Sequence, residues 1–173
     1  LMRLGKKTRQ SIDMTPKDVV KELRLIVNRQ QEEYSEIFEQ QILPELADNN
    51  IHLLRRRDLS KTQIKFIEDY FQQNMVSFVQ PVLLVKQSIR PFLANAALYL
   101  AVILKDINTK KTHYAVIKIP SEYLPRFVEL PRKKANQHEL IVLDEIVRHN
   151  ISFLFPGYKI EDSYSIKLTR DAE

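Results

Sequence analysis

Apolar residues recur at helical spacing through the first part of the chain. The stripe comprises Val19, Leu23, Ile26, Val27, Tyr34, Ile37, Phe38 and Ile42. Just before it, Thr15, Pro16 and Asp18 provide a cap, a first-turn proline and a reciprocal acid, which together mark a helix start. The pattern predicts a helix from residue 16 to about 43, which Pro44 kinks or ends ahead of a turn at residues 48–50.

A second helix start lies at Ser60, where Gln63 completes a capping box and Leu59 with Ile64 forms a hydrophobic staple. It predicts a helix over residues 61–73. After residue 74 the runs become β-branched and aromatic, and they predict strands over residues 76–79 and 82–85. Two further apolar runs, 98–104 and 113–119, flank a polar turn and predict an antiparallel hairpin that is buried on both faces.

The last third predicts a short strand over residues 127–130. Apolar residues from Leu140 to Phe155 then repeat at helical spacing until Pro156 and Gly157 end them. Residues 164–170 alternate with period two and predict a strand whose Tyr164 side faces a core. The predicted fold class is α+β, with a helical hairpin region in domain 1–50 and a mixed, largely antiparallel sheet with packed helices in domain 51–173.

Composition removes several classes of function. The chain of 173 residues has two glycines and no cysteine, so it offers no Gly-rich phosphate loop, no thiolate metal site and no disulfide. The most apolar stretch, residues 92–104, is shorter than the roughly 20 residues of a membrane helix. We therefore expect no transmembrane segment, and we find no signal peptide pattern.

Catalytic chemistry also lacks a local motif. No two of the four histidines (His52, His113, His138 and His149) are spaced as a metal-binding pair within one helix turn, and His113 reads as a core or sheet-face residue. The paired acids at 144–145 and 161–162 are adjacent, so they point in different directions and do not suit general acid/base work. We predict no catalytic residue and no metal site in this chain.

Binding is the remaining class, because the net charge is +5 and favours an anionic partner. Lys167 and Arg170 follow one another on the last predicted strand, and Pro125 restricts the backbone next to Arg126. These three cations suit neighbouring phosphates. The alternative for each is an ion pair with a nearby acid, such as Asp171 or Glu173 for Arg170. The basic runs at 6–9, 55–57, 110–111 and 132–134 are more typical of solvated loops.

Two sequence strings carry a family resemblance. They are P-R-F-V-E-L-P at residues 125–131, within the stretch 119–131, and Y-S-I-K-L-T-R-D-A-E at residues 164–173. With residues 51–54 and the Leu143–Phe155 segment before Pro156-Gly157, they make the chain resemble bacterial polyphosphate kinases of the histidine-phosphorylating type. The resemblance implies that residues 1–50 are the end of a helical N-terminal domain and that 51–173 are much of the following head domain, truncated at its C-terminus.

The resemblance implies a parent enzyme that reversibly transfers the terminal phosphate of ATP to polyphosphate with Mg2+, through a phosphohistidine in domains after Glu173. It places the adenine-contacting asparagine before Leu1, so the chain alone is expected to be inactive and to hold no cofactor. The expected partners are polyphosphate, the remaining domains and a second copy, in a dimer or tetramer formed through the head domain. Arg126, Lys167 and Arg170 are the candidates for the polyphosphate path.

The same resemblance implies a cytoplasmic location, with peripheral attachment at the inner membrane as the alternative. Two other functions fit the sequence: a basic nucleic-acid-binding module, which the charge favours, and an oligomerisation module without a ligand. No RNA-binding or helix-turn-helix signature accompanies the basic runs. We therefore expect no nucleic-acid partner.

Overall fold

A computed structural model describes residues 15–84, 93–167 and 169 of the chain. The helices are α1 (Pro16–Ile37), α2 (Leu43–Asp48), α3 (Lys61–Tyr70), α4 (Leu143–His149) and α5 (Ile151–Leu154). The strands are β1 (Ile51–Leu54), β2 (Pro81–Leu84), β3 (Leu98–Asp106), β4 (Thr112–Lys118), β5 (Phe127–Glu129), β6 (His138–Val142) and β7 (Tyr158–Lys167). The chain divides into two compact units between Asn49 and Asn50.

The first unit is a helical run that begins as the sequence predicts. The Thr15 hydroxyl accepts a 3.3 Å hydrogen bond from the Asp18 amide, and Pro16 opens α1. Pro44 does not end the helical run, as one of the two predicted outcomes required, because α2 continues to Asp48. A π-helical segment, Phe38–Ile42, precedes the proline, and such a wider turn accommodates the missing proline N–H. The partner helix of the predicted hairpin falls on residues 1–14, outside the described residues.

The second unit contains two sheets and one shared core. β1, β6 and β5 form a three-stranded sheet in that order, with β1 parallel to β6, and β2, β4, β3 and β7 form an antiparallel sheet of four strands. Helices α3 and α4 contribute Ile67 and Ile146 to the core, where they meet Leu100 of β3 and Ile141 of β6. The α+β class and the hairpin of β3 and β4 are confirmed.

Two predictions about local structure are wrong. Residues 76–78 form a turn, because a π-helical segment, Phe71–Met75, extends α3 and buries its first and last side chains completely. Leu140 does not begin a helix, since it lies in β6 opposite Leu53 of β1. In both places tertiary burial outweighs the local apolar pattern.

Candidate anion-binding site

The structure places two of the three predicted phosphate-binding residues in the second unit. Arg126 immediately precedes β5, and its carbonyl accepts a 2.9 Å hydrogen bond from the amide of Leu143 at the start of α4. Lys167 is the last residue of β7, is exposed, and pairs with Leu98 across the sheet. Arg170 lies outside the described residues. Arg126 and Lys167 therefore belong to different elements that the fold has to bring together.

A chain of polar contacts connects Arg126 to β7. Its guanidinium Nη2 lies 3.2 Å from Asp144 Oδ1, and the other carboxylate oxygen of Asp144 accepts a 3.1 Å hydrogen bond from the Ser165 hydroxyl. Ser163, Ser165 and Lys167 project from one face of β7, because strand side chains alternate. Arg126 thus approaches the face of β7 that carries Lys167.

Arg148 fixes this face of β7. Its Nη1 donates to the Ser163 carbonyl and, at 2.8 Å, to the Ser163 hydroxyl, while Nη2 donates to Ser165 Oγ at 2.7 Å. Its Nε lies 3.0 Å from the Glu145 carboxylate, and only 13% of the side chain is exposed. Four atoms on β7 and α4 therefore hold one guanidinium, which uses its planar fork of donors.

The predicted facing of β7 is wrong for Tyr164, whereas Ser165 and Lys167 are exposed as expected. The alternation is present, but Ser163 is buried and Tyr164 is 53% exposed. The Arg148 guanidinium takes both Ser163 and Ser165 as acceptors, and of these two serines only Ser163 is buried. The sequence analysis did not identify Arg148. Its position three residues after Glu145 on a predicted helix is the spacing of an ion pair and could have drawn attention to it.

Positive charge influences the neighbouring carboxylate Asp162. The pKa of Asp162 is lowered, first by a hydrogen bond from the Tyr164 hydroxyl, next by the Ser163 amide, and then by the charges of Arg148 and Arg56. The same bond raises the pKa of Tyr164. Asp162 is consequently stabilised as an anion beside the cationic face.

One guanidinium nitrogen of Arg126 has no partner among the described residues. Nη1 is buried yet makes no hydrogen bond there, and Asp144 Oδ1 lies near Nη2 without hydrogen-bond geometry. Arg126 keeps 39% of its side chain exposed. The ion pair with Asp144 therefore orients this guanidinium without using all of its donors.

Three of the four histidines take part in side-chain pairs. His138 lies 3.0 Å from Glu129, His149 lies 3.2 Å from Glu68, and the ring of His113 meets Tyr158 edge to face. Across residues 15–84, 93–167 and 169, no three side chains of the metal-ligating types come together. The described residues do not fit a magnesium ion, so no step is assigned to one here.

The fold and the site together define an α+β domain that presents a cationic strand face. The chain belongs to the polyphosphate kinase family, since the family model described as the polyphosphate kinase middle domain matches residues 62–173. Within the described ranges, no helix has the length and apolar character needed to cross a membrane.

Individual relatives agree with this assignment. The chain is 31% identical over 153 residues to a polyphosphate kinase of Prochlorococcus marinus, a match that covers 86% of this chain and 21% of the relative. It is 31% identical over 169 residues to one of Yersinia pestis, covering 95% and 24%. The crystal structure of polyphosphate kinase from Porphyromonas gingivalis superposes with a TM-score of 0.82 at 35% identity, covering 91% and 24%. The chain thus spans a quarter or less of each relative's length.

Proposed function

We propose that this chain is the middle portion of an ATP:polyphosphate phosphotransferase and that it holds the phosphate polymer while other domains perform the chemistry. The observation that carries the proposal is the approach of Arg126, through Asp144 and Ser165, to the β7 face that bears Lys167. The family match supports the choice of polyphosphate as the anion.

The two cations divide the work of binding according to their chemistry. Arg126 has a planar fork that Asp144 orients, and the exposed 39% of its side chain is open to a phosphate oxygen. Lys167 supplies a mobile point charge on an exposed strand end. A linear anion with repeated phosphates can bridge the two, and each contact releases counterions. Arg170 is the third proposed contact, three positions beyond Lys167 in sequence.

The reaction itself is assigned to the rest of the parent protein. In this proposal ATP, Mg2+ and the phosphorylated histidine belong to other domains, residues 1–50 end a helical N-terminal domain, and residues 51–173 form most of the head domain. The head domain also mediates a homodimer or tetramer. The chain's own residues bind and orient the polymer and transfer no phosphate.

A competition experiment tests the binding role. The 173-residue chain is applied to immobilised polyphosphate, and short duplex DNA is then added at equal phosphate concentration. We expect retention that DNA does not displace. Displacement by DNA would instead indicate a general nucleic-acid-binding module, and absence of retention at physiological salt would indicate an oligomerisation module without a ligand.

Paired variants test the assigned residues. We expect R126A/K167A to weaken polyphosphate retention about tenfold, a typical effect for two charge-assisted contacts. The matched control R24A/K65A removes the same two residue types from exposed positions on α1 and α3 and should retain near-wild-type binding. Equal losses in both variants would contradict the assignment.

A labelling experiment tests the non-catalytic role. After incubation with γ-labelled ATP and Mg2+, the chain should carry no stable phosphoryl group and should show no ATP turnover. Label on any of its four histidines would overturn this part of the proposal.

A further inference from the structure

A second cationic feature lies beside the strand face described above. Arg55, Arg56 and Arg57 follow β1, and the last two begin a single turn of 3-10 helix, Arg56–Asp58. With Glu145 and Arg148 of α4 they line a cleft of about 290 Å³. We call these five residues the arginine cleft. The basic run 55–57 therefore lines a cleft against α4, whereas the sequence pattern predicts a solvated loop.

Three carboxylates lie around Arg56, Arg57 and Arg148 of the arginine cleft. Glu145 accepts a 3.3 Å hydrogen bond from the Arg56 amide and lies 3.8 Å from Arg56 Nε, while it also pairs with Arg148 at 3.0 Å. Asp58 lies 3.9 Å from Arg57 Nε, and Asp162 lies within electrostatic influence of Arg56 and Arg148. Glu145 is thus shared between the guanidiniums of Arg56 and Arg148.

The two outer arginines have donors to offer a ligand. The side chains of Arg56 and Arg57 are 47% and 72% exposed, and each contacts its carboxylate through Nε at nearly 4 Å. Such long contacts across solvent are weak. The terminal guanidinium nitrogens are the groups that form bidentate contacts with phosphate oxygens.

Arg148 connects the arginine cleft to the Arg126–Lys167 face. It lines the cleft and also donates to Ser163 and Ser165 of β7. Lys167 follows Ser163 by four residues on the strand, a distance of about 13 Å at the usual rise per residue. Arg148 therefore joins the two sites, and we call the surface from Arg57 past Arg148 to Lys167 the strip.

We propose that the arginine cleft is a second phosphate subsite, which binds a further segment of the polymer held by Arg126 and Lys167. This inference rests on the proposed function. The lining of the cleft favours a phosphate chain without a nucleobase over a nucleotide. All five lining residues are charged, and none offers an aromatic ring on which a base could stack. Repeated phosphates along a chain match repeated guanidiniums along the strip.

Binding of short and long polyphosphate by the 173-residue chain tests the inference. Tripolyphosphate should titrate two separate sites in the wild-type chain. R56A/R57A should retain one of them and should bind long-chain polyphosphate about tenfold more weakly, because linked contacts act cooperatively. The control R24A/R29A removes two exposed arginines of α1 and should keep both sites. The melting temperature should stay unchanged in both variants.

The outcomes separate the inference from the function on which it rests. If R56A/R57A keeps both tripolyphosphate sites and full long-chain affinity while R126A/K167A loses affinity, the arginine cleft is refuted and the proposed function stands. If R56A/R57A weakens binding and R126A/K167A does not, the arginine cleft stands and the assignment of Arg126 and Lys167 fails. A wild-type chain that binds no polyphosphate overturns both.

Discussion

Gln63 of α3 donates a 2.6 Å hydrogen bond from Nε2 to the carboxylate of Glu139 on β6, 76 positions later in the chain. Both residues are almost completely buried, at 1% and 4% exposure. The same Gln63 side chain accepts from the Ser60 amide at 3.0 Å. One amide therefore caps a helix and also donates to a buried carboxylate on the three-stranded mixed sheet.

We expect Gln63→Ala to lower the free energy of unfolding by roughly 2 kcal/mol, because it removes half of the capping box and leaves the buried Glu139 carboxylate with only the Lys133 ammonium at 3.4 Å. Chemical denaturation of the chain measures the change. Lys65→Ala, on the exposed side of the same helix, should change stability by less than about 0.5 kcal/mol. Similar losses for the two variants would show that the buried pair is unimportant.

Arg148→Ala should lower the free energy of unfolding by about 2 kcal/mol, because the hydroxyl and carbonyl acceptors on β7 lose their common donor. Arg148→Lys should recover little of this, since one ammonium cannot reach Ser163, Ser165 and Glu145 with the geometry of a guanidinium. Urea unfolding of the two variants provides the comparison. Wild-type stability in Arg148→Lys would mean that charge alone matters here.

The Asp106 carboxylate caps the turn between β3 and β4, where it accepts from the Thr109 and Asn108 amides at 2.7 and 2.8 Å. The Thr109 amide bond, followed by that of Asn108, lowers the pKa of Asp106 below its ordinary value of 3.8. Because the folded-state pKa is the lower one, this contribution to stability is complete above the unfolded-state value and is lost as the pH falls through the folded-state value.

An NMR titration of the Asp106 carboxyl should therefore show a midpoint below 3.8. Asp106→Asn keeps an acceptor but cannot titrate, so the acid dependence of unfolding should become shallower below that pH. A midpoint at or above the ordinary value would contradict the role of the two amides.

Gly157, between α5 and β7, has a φ of +87°. A Cβ atom there would meet no heavy atom within 4 Å, so the cost of a side chain comes from the backbone alone. We expect Gly157→Ala to destabilise the chain by about 1 kcal/mol, and Gly157→Asn by less, because asparagine tolerates positive φ better. Thermal unfolding checks the order of the two variants, and equal losses would point to a steric cause instead.

Local signals predicted the elements whose determinants lie close together in sequence. Ser60 and Gln63 both make the expected capping contacts, and the two apolar runs around Asp106 pair as the predicted hairpin. Each needs only a few neighbouring residues to specify its geometry. The strand at 138–142 could not be predicted in this way, because one of its two neighbours, β1, is more than eighty positions away and its apolar residues also fit helical spacing.

The candidate site was predictable only in part. Charge and strand position indicate Arg126 and Lys167 from the sequence, and in the structure Arg126 pairs with Asp144, which accepts from Ser165, two residues before Lys167. Arg148 was missed, because the serines that hold it are 15 and 17 positions away. The arginines at 55–57 were assigned to a solvated loop, since their neighbours Glu145 and Arg148 come from α4.

The amino-acid sequence by itself determined where the helices are capped and where the hairpin turns. It also determined which family the chain resembles. All three depend on short-range patterns. The tertiary structure decided that Ser163 of β7 is buried, that Tyr164 is exposed, and that Arg56 and Arg148 share one carboxylate. These features depend on hydrogen bonds, ion pairs and burial between distant segments, which the local apolar pattern of β7 does not contain.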